Sequence, residues 1–296
     1  MNSYKIYEEK DRLRIEGLKD FNLRDIFECG QAFRWENTGH SYIAITQGKV
    51  AEFEMDDFLY AYNSTKEDFE NIWAKYFDLD RDYSKIKDEL SNTKAYAMNE
   101  SLKKAIEFGK GIRILNQDRF EMIISFIISA NNQIPRIKKS IELICQNYGK
   151  LIENYKDKNY YTFPEPEKLS KVDPMELKEI CRVGFRNERI VQTSKIYFEN
   201  PDNFSENLDD MILKENLLAL PGVGPKVCDC ILLFGYAKEK TFPVDVWVKR
   251  LMETLYLEDS ISNNQIMKYA DDLFGDLKGY AQQYLFYYAR ENAIGK

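Results

Sequence analysis

The chain has 296 residues, 44% hydrophobic and 14% aromatic, and a formal net charge of −7. That composition excludes a disordered chain, and the length exceeds the usual single-domain size, so two or three domains sharing interfaces are expected. The longest apolar stretch, Met122 to Ala130, falls far short of the roughly 20 residues a bilayer span requires.

The first sixty or so residues read as strands. KIYEE, RLRIEGL, YIAITQ and VAEFEM alternate apolar and polar residues, and Asn37-Thr38-Gly39 and Gln47-Gly48 punctuate them. This pattern predicts an antiparallel sheet with one buried face. His40, the only histidine, falls in one of the turns and is expected at the surface. From Asn63 the period becomes helical. Ser64 with Glu67 has capping-box spacing ahead of FENIWAKYF, and Asp118 with Glu121 has it ahead of FEMIISFIIS. IPRIKKSIELICQNYG runs at helical spacing to Gly149, a fitting C-terminal stop. Pro164 and Pro166 mark a loop before MELKEICRV, and Gly184 breaks the pattern ahead of FRNERIVQTSKIYF. LKENLLAL runs into Pro221-Gly222-Val223-Gly224, a new helix starts at Pro225, and VWVKRLMETLYL and YAQQYLFYYAR are the last strong helical patterns. From Asn63 onward the chain therefore reads as helix upon helix, and the fold class is α+β.

Charge is unevenly placed. Residues 51–100 hold thirteen acids against six bases, an excess equal to the net charge of the whole chain. Residues 131–150 instead carry Arg136, Lys138, Lys139 and Lys150 against Glu142, and residues 182–195 carry Arg182, Arg186, Arg189 and Lys195 against Glu188. A basic face with an acidic back fits these numbers, and so do solvated helix faces. The five cysteines, Cys29, Cys145, Cys181, Cys228 and Cys230, are odd in number and scattered. They suit neither a disulfide framework nor a four-cysteine zinc or iron–sulfur site. With no apolar signal core in MNSYKIYEEK, an intracellular protein with no membrane partner is expected.

The most informative stretch is Leu217-Leu218-Ala219-Leu220-Pro221-Gly222-Val223-Gly224-Pro225-Lys226-Val227. Two glycines flanking Val223 permit a tight turn with positive φ and leave amides open to an anion. Pro225 suits the first position of the following helix, whose N-terminus would face that anion. Taken alone, the pattern equally fits an ordinary loop between core helices, Lys226 a phosphate contact, and Asp245, which precedes the next helix, a plain cap.

Together, the hairpin and Phe242-Pro243-Val244-Asp245-Val246-Trp247 resemble the helix-hairpin-helix DNA glycosylase superfamily. The resemblance implies Lys226 as nucleophile and Asp245 as its acidic partner. Base cleavage builds positive charge at the sugar C1′, which a carboxylate stabilises. A lysine attacks only when neutral, and burial beside a helix N-terminus is expected to lower its pKa. A Schiff base would then open a lyase step.

Within the superfamily the chain resembles the 8-oxoguanine branch. Gly30-Gln31-Ala32-Phe33-Arg34-Trp35 matches a run whose glycine carbonyl accepts the N7 hydrogen of 8-oxoguanine. Cys230 and Phe286 match the two sides of the base pocket, and Gln282 its Watson–Crick edge. Asn131-Asn132-Gln133-Ile134-Pro135-Arg136 resembles a segment whose asparagine, Asn131, fills the vacated stack and whose Arg136 meets the orphaned cytosine. Phe185-Arg186 matches a wedge and a second cytosine contact, with phenylalanine where eukaryotic members have tyrosine. Trp247 replaces a histidine, and that contact is not carried over. Gly222 and Gly224 would meet phosphate. The carbonyls of Leu218, Leu220 and Val223 would hold a monovalent or divalent cation bridging to it, with no required cofactor and no iron–sulfur cluster.

The implied partner is double-stranded DNA containing 8-oxoguanine, bound by a monomer in the nucleoid of a prokaryote or in a nucleus. The implied division is residues 1–98 as the sheet domain, 99–120 with 251–296 as a helical domain completing the base pocket, and 121–250 as the helix-hairpin-helix catalytic domain. Glycosylases for oxidised pyrimidines or for adenine opposite 8-oxoguanine usually add four cysteines beyond this point, and none follows Cys230. Alkylpurine enzymes usually lack the lysine. A non-enzymatic DNA-binding scaffold would need neither Asp245, Gly30 nor Phe286.

Overall fold

In the computed structural model, which describes residues 4–257 and 261–294, the alternating segments become β1 (Lys5–Glu8), β2 (Leu13–Glu16), β4 (Tyr42–Thr46) and β5 (Lys49–Met55). Two short strands that the pattern did not reveal, β3 (Trp35–Asn37) and β6 (Leu59–Tyr62), complete a six-stranded antiparallel sheet in the order β1-β2-β6-β5-β4-β3. Gln47 and Gly48 both have positive φ, the two-residue geometry that matches strand twist in a hairpin. One face of the sheet packs Leu13, Ile15, Phe53 and Ala61 against α1 (Leu23–Glu28) and a helical run made of α2 (Lys66–Asp68), a π-helical turn (Phe69–Trp73) and α3 (Ala74–Tyr76). That run is capped by Thr65, whose hydroxyl accepts from Asp68 N at 3.0 Å, one residue beyond the expected Ser64.

The expectation of a single buried face fails at β4 and β5. A second sheet, β7 (Leu151–Tyr155) with β8 (Lys158–Tyr161), interrupts the helical part and covers Ile43 and Val50 with Tyr160. Glu52, on that covered face, is satisfied by Ser41, Lys156 and Tyr155, the last at 2.6 Å.

The remaining helices are α4 (Tyr83–Ser91), α5 (Lys94–Met98), α6 (Ser101–Phe108), α7 (Arg119–Ser129), α8 (Ile134–Tyr148), α9 (Pro166–Ser170), α10 (Pro174–Cys181), α11 (Asn187–Glu199), α12 (Asp210–Leu218), α13 (Pro225–Tyr236), α14 (Val246–Leu255), α15 (Asn263–Phe274) and α16 (Lys278–Glu291). Asp118 caps α7 by accepting from Glu121 N at 2.8 Å, as its spacing predicts. Nine of the eleven residues of α7 are buried, so it is the central rod of the helical core. His40 is exposed, as expected, and all five cysteines are free and buried. No described helix is long and apolar enough to cross a membrane.

Sheet and helical core are joined by one buried ion pair. Arg34, between Phe33 and β3, meets Glu121 of α7 at 3.0 Å with the two side chains only 8% and 11% exposed, and its guanidinium also donates to Tyr161 O of β8. Burial pushes the Glu121 carboxyl pKa up. Removing Arg34 would strand that carboxylate in a dry interface. Breaking such a pair costs about 3–5 kcal/mol. An acid whose folded pKa lies above its unfolded one loses stability as pH rises between the two values. Arg34→Met should therefore destabilise the protein strongly at pH 7 and much less near pH 4, each relative to wild type. Urea titrations at both pH values measure this, and an equal cost at both would contradict the assignment.

Candidate active site

The hairpin at 219–224 is built by the two glycines in different ways. Gly222 has φ +92, and a Cβ there would lie 3.0 Å from Arg189 Cδ and 3.3 Å from Ile127 Cγ2, so only glycine lets the turn sit on α11 and α7. Gly224 corrects the expectation of a second left-handed residue. It is the extended N-cap of α13 at φ −92, with open space around it, so it exposes backbone rather than turning it. Pro225 opens α13 as expected. Thr193 holds Pro221 O at 3.1 Å and Val223 N donates to Leu220 O at 3.1 Å. The carbonyls of Leu218 and Val223 receive no donor among the described residues. Lys214 of α12 pairs with the buried Asp229 of α13 at 2.9 Å, a cross-link absent from the sequence reading that fixes the two helices about the turn.

α13 aims Lys226 into a cavity of about 920 Å³, which Gly30, Asn131, Asp245 and Phe286 also line. Its walls include Phe33, Phe126, Trp247 and Arg290. The Lys226 ammonium lies 5.8 Å from the Phe126 ring centroid, and Phe126 packs on Phe33 at 5.7 Å and Phe234 at 5.6 Å. Phe126 was hidden in the sequence because it belongs to an uninterrupted apolar helix. Asp245 caps α14, one carboxylate oxygen accepting from Val248 N at 2.8 Å. Cys230, one turn beyond Lys226, and Gln282, one turn before Phe286, are buried behind the cavity wall, at 4% and 6% exposed. The Gln282 Oε1 has no hydrogen-bond partner among the described residues, an acceptor held dry for something else to meet.

Lys226 departs from the sequence expectation. Its pKa is raised, first by the charge interaction with Cys230 and also by Asp245, against the opposing effect of burial. Burial in turn raises the Cys230 pKa. The positive charge of the lysine is stabilised by its side-chain neighbours more than it is disfavoured by the dry wall, so the free site holds an ammonium.

The other expected residues surround the cavity unevenly. Asn131 is in the left-handed region at φ +51. Arg186 donates through Nε to Ala130 O at 3.1 Å, through Nη2 to Asn131 O at 3.1 Å and through Nη1 to Val183 O at 3.1 Å. Its fork is thus spent on the loop that carries Asn131, and it is not presented to solvent. Arg136, in the first turn of α8, is exposed and has no side-chain partner among the described residues. Phe185 is 56% exposed, flanked by the guanidinium groups of Arg186 at 4.3 Å and Arg189 at 5.4 Å.

Known proteins resemble the chain over most of its length. Residues 15–123 match the 8-oxoguanine DNA glycosylase N-terminal domain, and residues 124–275 match the HhH-GPD superfamily base excision DNA repair protein. The chain is 31% identical over 249 residues to the "Probable N-glycosylase/DNA lyase" of Methanothermobacter thermautotrophicus, covering 77% of this chain and 76% of that one. To the N-glycosylase/DNA lyase of Saccharomyces cerevisiae it is 29% identical over 266 residues, covering 79% and 68%. The solved structure of Clostridium acetobutylicum 8-oxoguanine glycosylase/lyase with double-stranded DNA containing cytosine opposite 8-oxoG superposes with a TM-score of 0.91 at 43% identity, over 99% of this chain and all of that one.

The coupling between Lys226 and Cys230 is directly measurable. Replacing the thiol with a group that cannot ionise removes the largest upward influence, so Cys230→Ala should shift the pH dependence of Lys226 modification by an amine-specific reagent toward lower pH. Mass spectrometry of the Lys226 peptide reads that shift. An unchanged or upward-moving profile would contradict the assignment.

Proposed function

Because the chain belongs to the HhH-GPD superfamily of base excision DNA repair proteins and carries the 8-oxoguanine DNA glycosylase N-terminal domain, we propose that it excises 8-oxoguanine from opposite cytosine, with Lys226 as nucleophile and Asp245 as its electrostatic partner. It is a DNA glycosylase and AP lyase that acts on duplex DNA. The observation that carries the residue assignment is the convergence of Gly30, Lys226, Asp245 and Phe286 on one cavity from three distant parts of the chain.

The lesion must leave the helix to enter that cavity, which costs a few kcal/mol of unstacking. Phe185, exposed at the rim, is the wedge, and Asn131 fills the space left in the stack. Arg136, exposed and without a side-chain partner among the described residues, is poised for the orphaned cytosine, whose edge suits a guanidinium fork. Arg186 reaches the cytosine only by exchanging its bonds to Ala130 and Asn131. Inside, Phe286 and Cys230 flank the base, Gln282 meets its Watson–Crick edge, and the Gly30 carbonyl accepts the N7 hydrogen.

As the glycosidic bond breaks, its electron pair leaves with the base and positive charge grows at C1′, where the Asp245 carboxylate stabilises it. The Lys226 ammonium first gives a proton to water. Its nitrogen lone pair then forms the bond to C1′, and the C1′–O4′ bond breaks, the proton shed by the nitrogen passing to O4′, to leave a protonated Schiff base. Water then takes a C2′ proton, the C1′–C2′ and C2′–C3′ electrons reorganise, and the C3′–O bond breaks to release the 3′ phosphate.

Outside the pocket, Gly222 and Gly224 give a phosphate access to the N-terminal amides of α13. The carbonyls of Leu218, Leu220 and Val223 are hard oxygen ligands of the kind that alkali and alkaline-earth cations take. A cation there would neutralise part of the phosphate charge. One active site per lesion requires one chain, so the protein works as a monomer in the compartment that holds the genome.

Borohydride trapping on an 8-oxoguanine:cytosine duplex tests the nucleophile. Lys226→Gln should abolish the trapped adduct, and a variant that trapped as well as wild type would remove Lys226 from the role. Asp245→Asn should slow base release about 10²-fold or more, the scale of losing one preorganised electrostatic group. In single-turnover assays, Arg136→Ala should narrow the preference for cytosine over adenine opposite the lesion. Equal wild-type rates opposite both bases would overturn the pairing assignment.

A further inference from the structure

Resting on the 8-oxoguanine reading above, we propose that Gln283 is a specificity-setting positioning residue: with Arg290 and Gln117 it clamps the backbone around Gly30 so that the Gly30 carbonyl is held, unpartnered, toward the base. Four successive carbonyls carry the case. The Glu28 carbonyl accepts from Arg290 Nη2. The Cys29 carbonyl accepts from Gln283 Nε2 at 3.0 Å. The Gln31 carbonyl accepts from Gln117 Nε2 at 2.9 Å. Only the Gly30 carbonyl, between them, receives no donor among the described residues, and Gly30 lines the cavity.

The clamp has a buried base. The Gln31 side chain is fully enclosed, donating to Ile26 O at 2.9 Å and Arg113 O at 2.7 Å and accepting from Leu115 N at 2.9 Å. Gln283 is 2% exposed. Gly30 itself has φ +91, and a Cβ there would stand 3.3 Å from Phe286 Cε1 and 3.3 Å from Arg290 Nη1. Gln283 and Arg290 thus lie on α16 beside the residues that meet the base, Gln282 and Phe286. One helix sets both the base edge and the carbonyl.

Rigidity matters because of hydrogen-bond polarity. 8-Oxoguanine carries a hydrogen at N7, whereas guanine carries a lone pair there. A fixed carbonyl attracts the first and repels the second. A loop free to shift or turn its peptide would weaken the attraction and relieve the repulsion, so discrimination falls from both sides. A residue that merely held the fold would affect all DNA alike.

The test is fluorescence anisotropy of the full-length protein with three duplexes containing, opposite cytosine, guanine, a tetrahydrofuran abasic analogue, or 2′-fluoro-8-oxoguanine, whose fluorine withdraws charge from C1′ and blocks base release. Gln283→Met should lower the ratio of the guanine Kd to the 8-oxoguanine Kd about tenfold, the worth of roughly one hydrogen bond, and should weaken the abasic duplex less than the lesion duplex. Gln117→Leu, at a half-buried position, should move the ratio the same way and keeps the test open where Gln283→Met does not fold. Equal weakening on all three duplexes with an unchanged ratio overturns the clamp. Wild-type protein that fails to prefer 8-oxoguanine over guanine overturns instead the functional reading beneath it.

Discussion

The buried contact between Arg34 and Glu121 is the constraint on which the site depends. The residues that line the cavity come mainly from the Gly30–Phe33 segment, from α7 and the loop into α8, from α13 and α14, and from the last helix, and they cannot be brought together without fixing the sheet on the helical core. Arg34 does this at the first residue after Phe33, whose ring packs on Phe126 of the same helix that carries Glu121. Its second bond, to Tyr161 O, draws in the small β7–β8 sheet. A dry ion pair contributes little net stability compared with apolar packing, but removing either partner is costly. It therefore acts as a register mark: other placements of sheet on core leave a charge unpaired in the interior.

From that register the chemistry follows through α13. The Lys214–Asp229 pair locks α12 to α13, Gly222 lets the turn between them sit against Arg189 and Ile127, and Lys226 then stands on the first turn facing inward. In the proposed function the raised pKa of Lys226 would give it two tasks that cannot be done in one protonation state: as an ammonium it would attract the DNA backbone, and as an amine it would form the bond to carbon. Asp245 would serve both states, first by stabilising the ammonium and then by stabilising the charge that develops on the sugar.

How much of this was legible in the sequence depended on whether the signal was local. Asp118, Gly149, Pro225 and Asp245 mark helix ends because capping and proline geometry act within a few residues. The strands β3 and β6, three and four residues long, are too short for alternation to show. The β7–β8 sheet was missed because LIENYKDKNYY covers only Ile43 and Val50 of a distant segment, so its apolar positions do not alternate cleanly. The rise in Lys226 pKa was out of reach as well: burial and the helix terminus were readable, but the influences of Cys230 and Asp245 depend on side-chain positions. The donors around Gly30 were invisible for the same reason, since Gln283 lies 254 residues from Cys29 along the chain.

The loop at Asn131 is pinned by a neighbouring side chain. A non-glycine residue at φ +51 is held in a sparsely populated conformation, which persists only where its surroundings over-determine it. Here Arg186 supplies that determination by bonding Ala130 O and Asn131 O at once, and in the proposed function the strain would fall where the vacated stack is to be filled. An arginine occupied in this way cannot also read a base without letting the loop go. Arg136, exposed in the first turn of α8, has no side-chain partner among the described residues and so no such conflict. The two arginines are therefore not equivalent: in the proposed function Arg136 would be free to meet the opposite base, whereas Arg186, in the turn just before α11, is committed to holding the Asn131 loop.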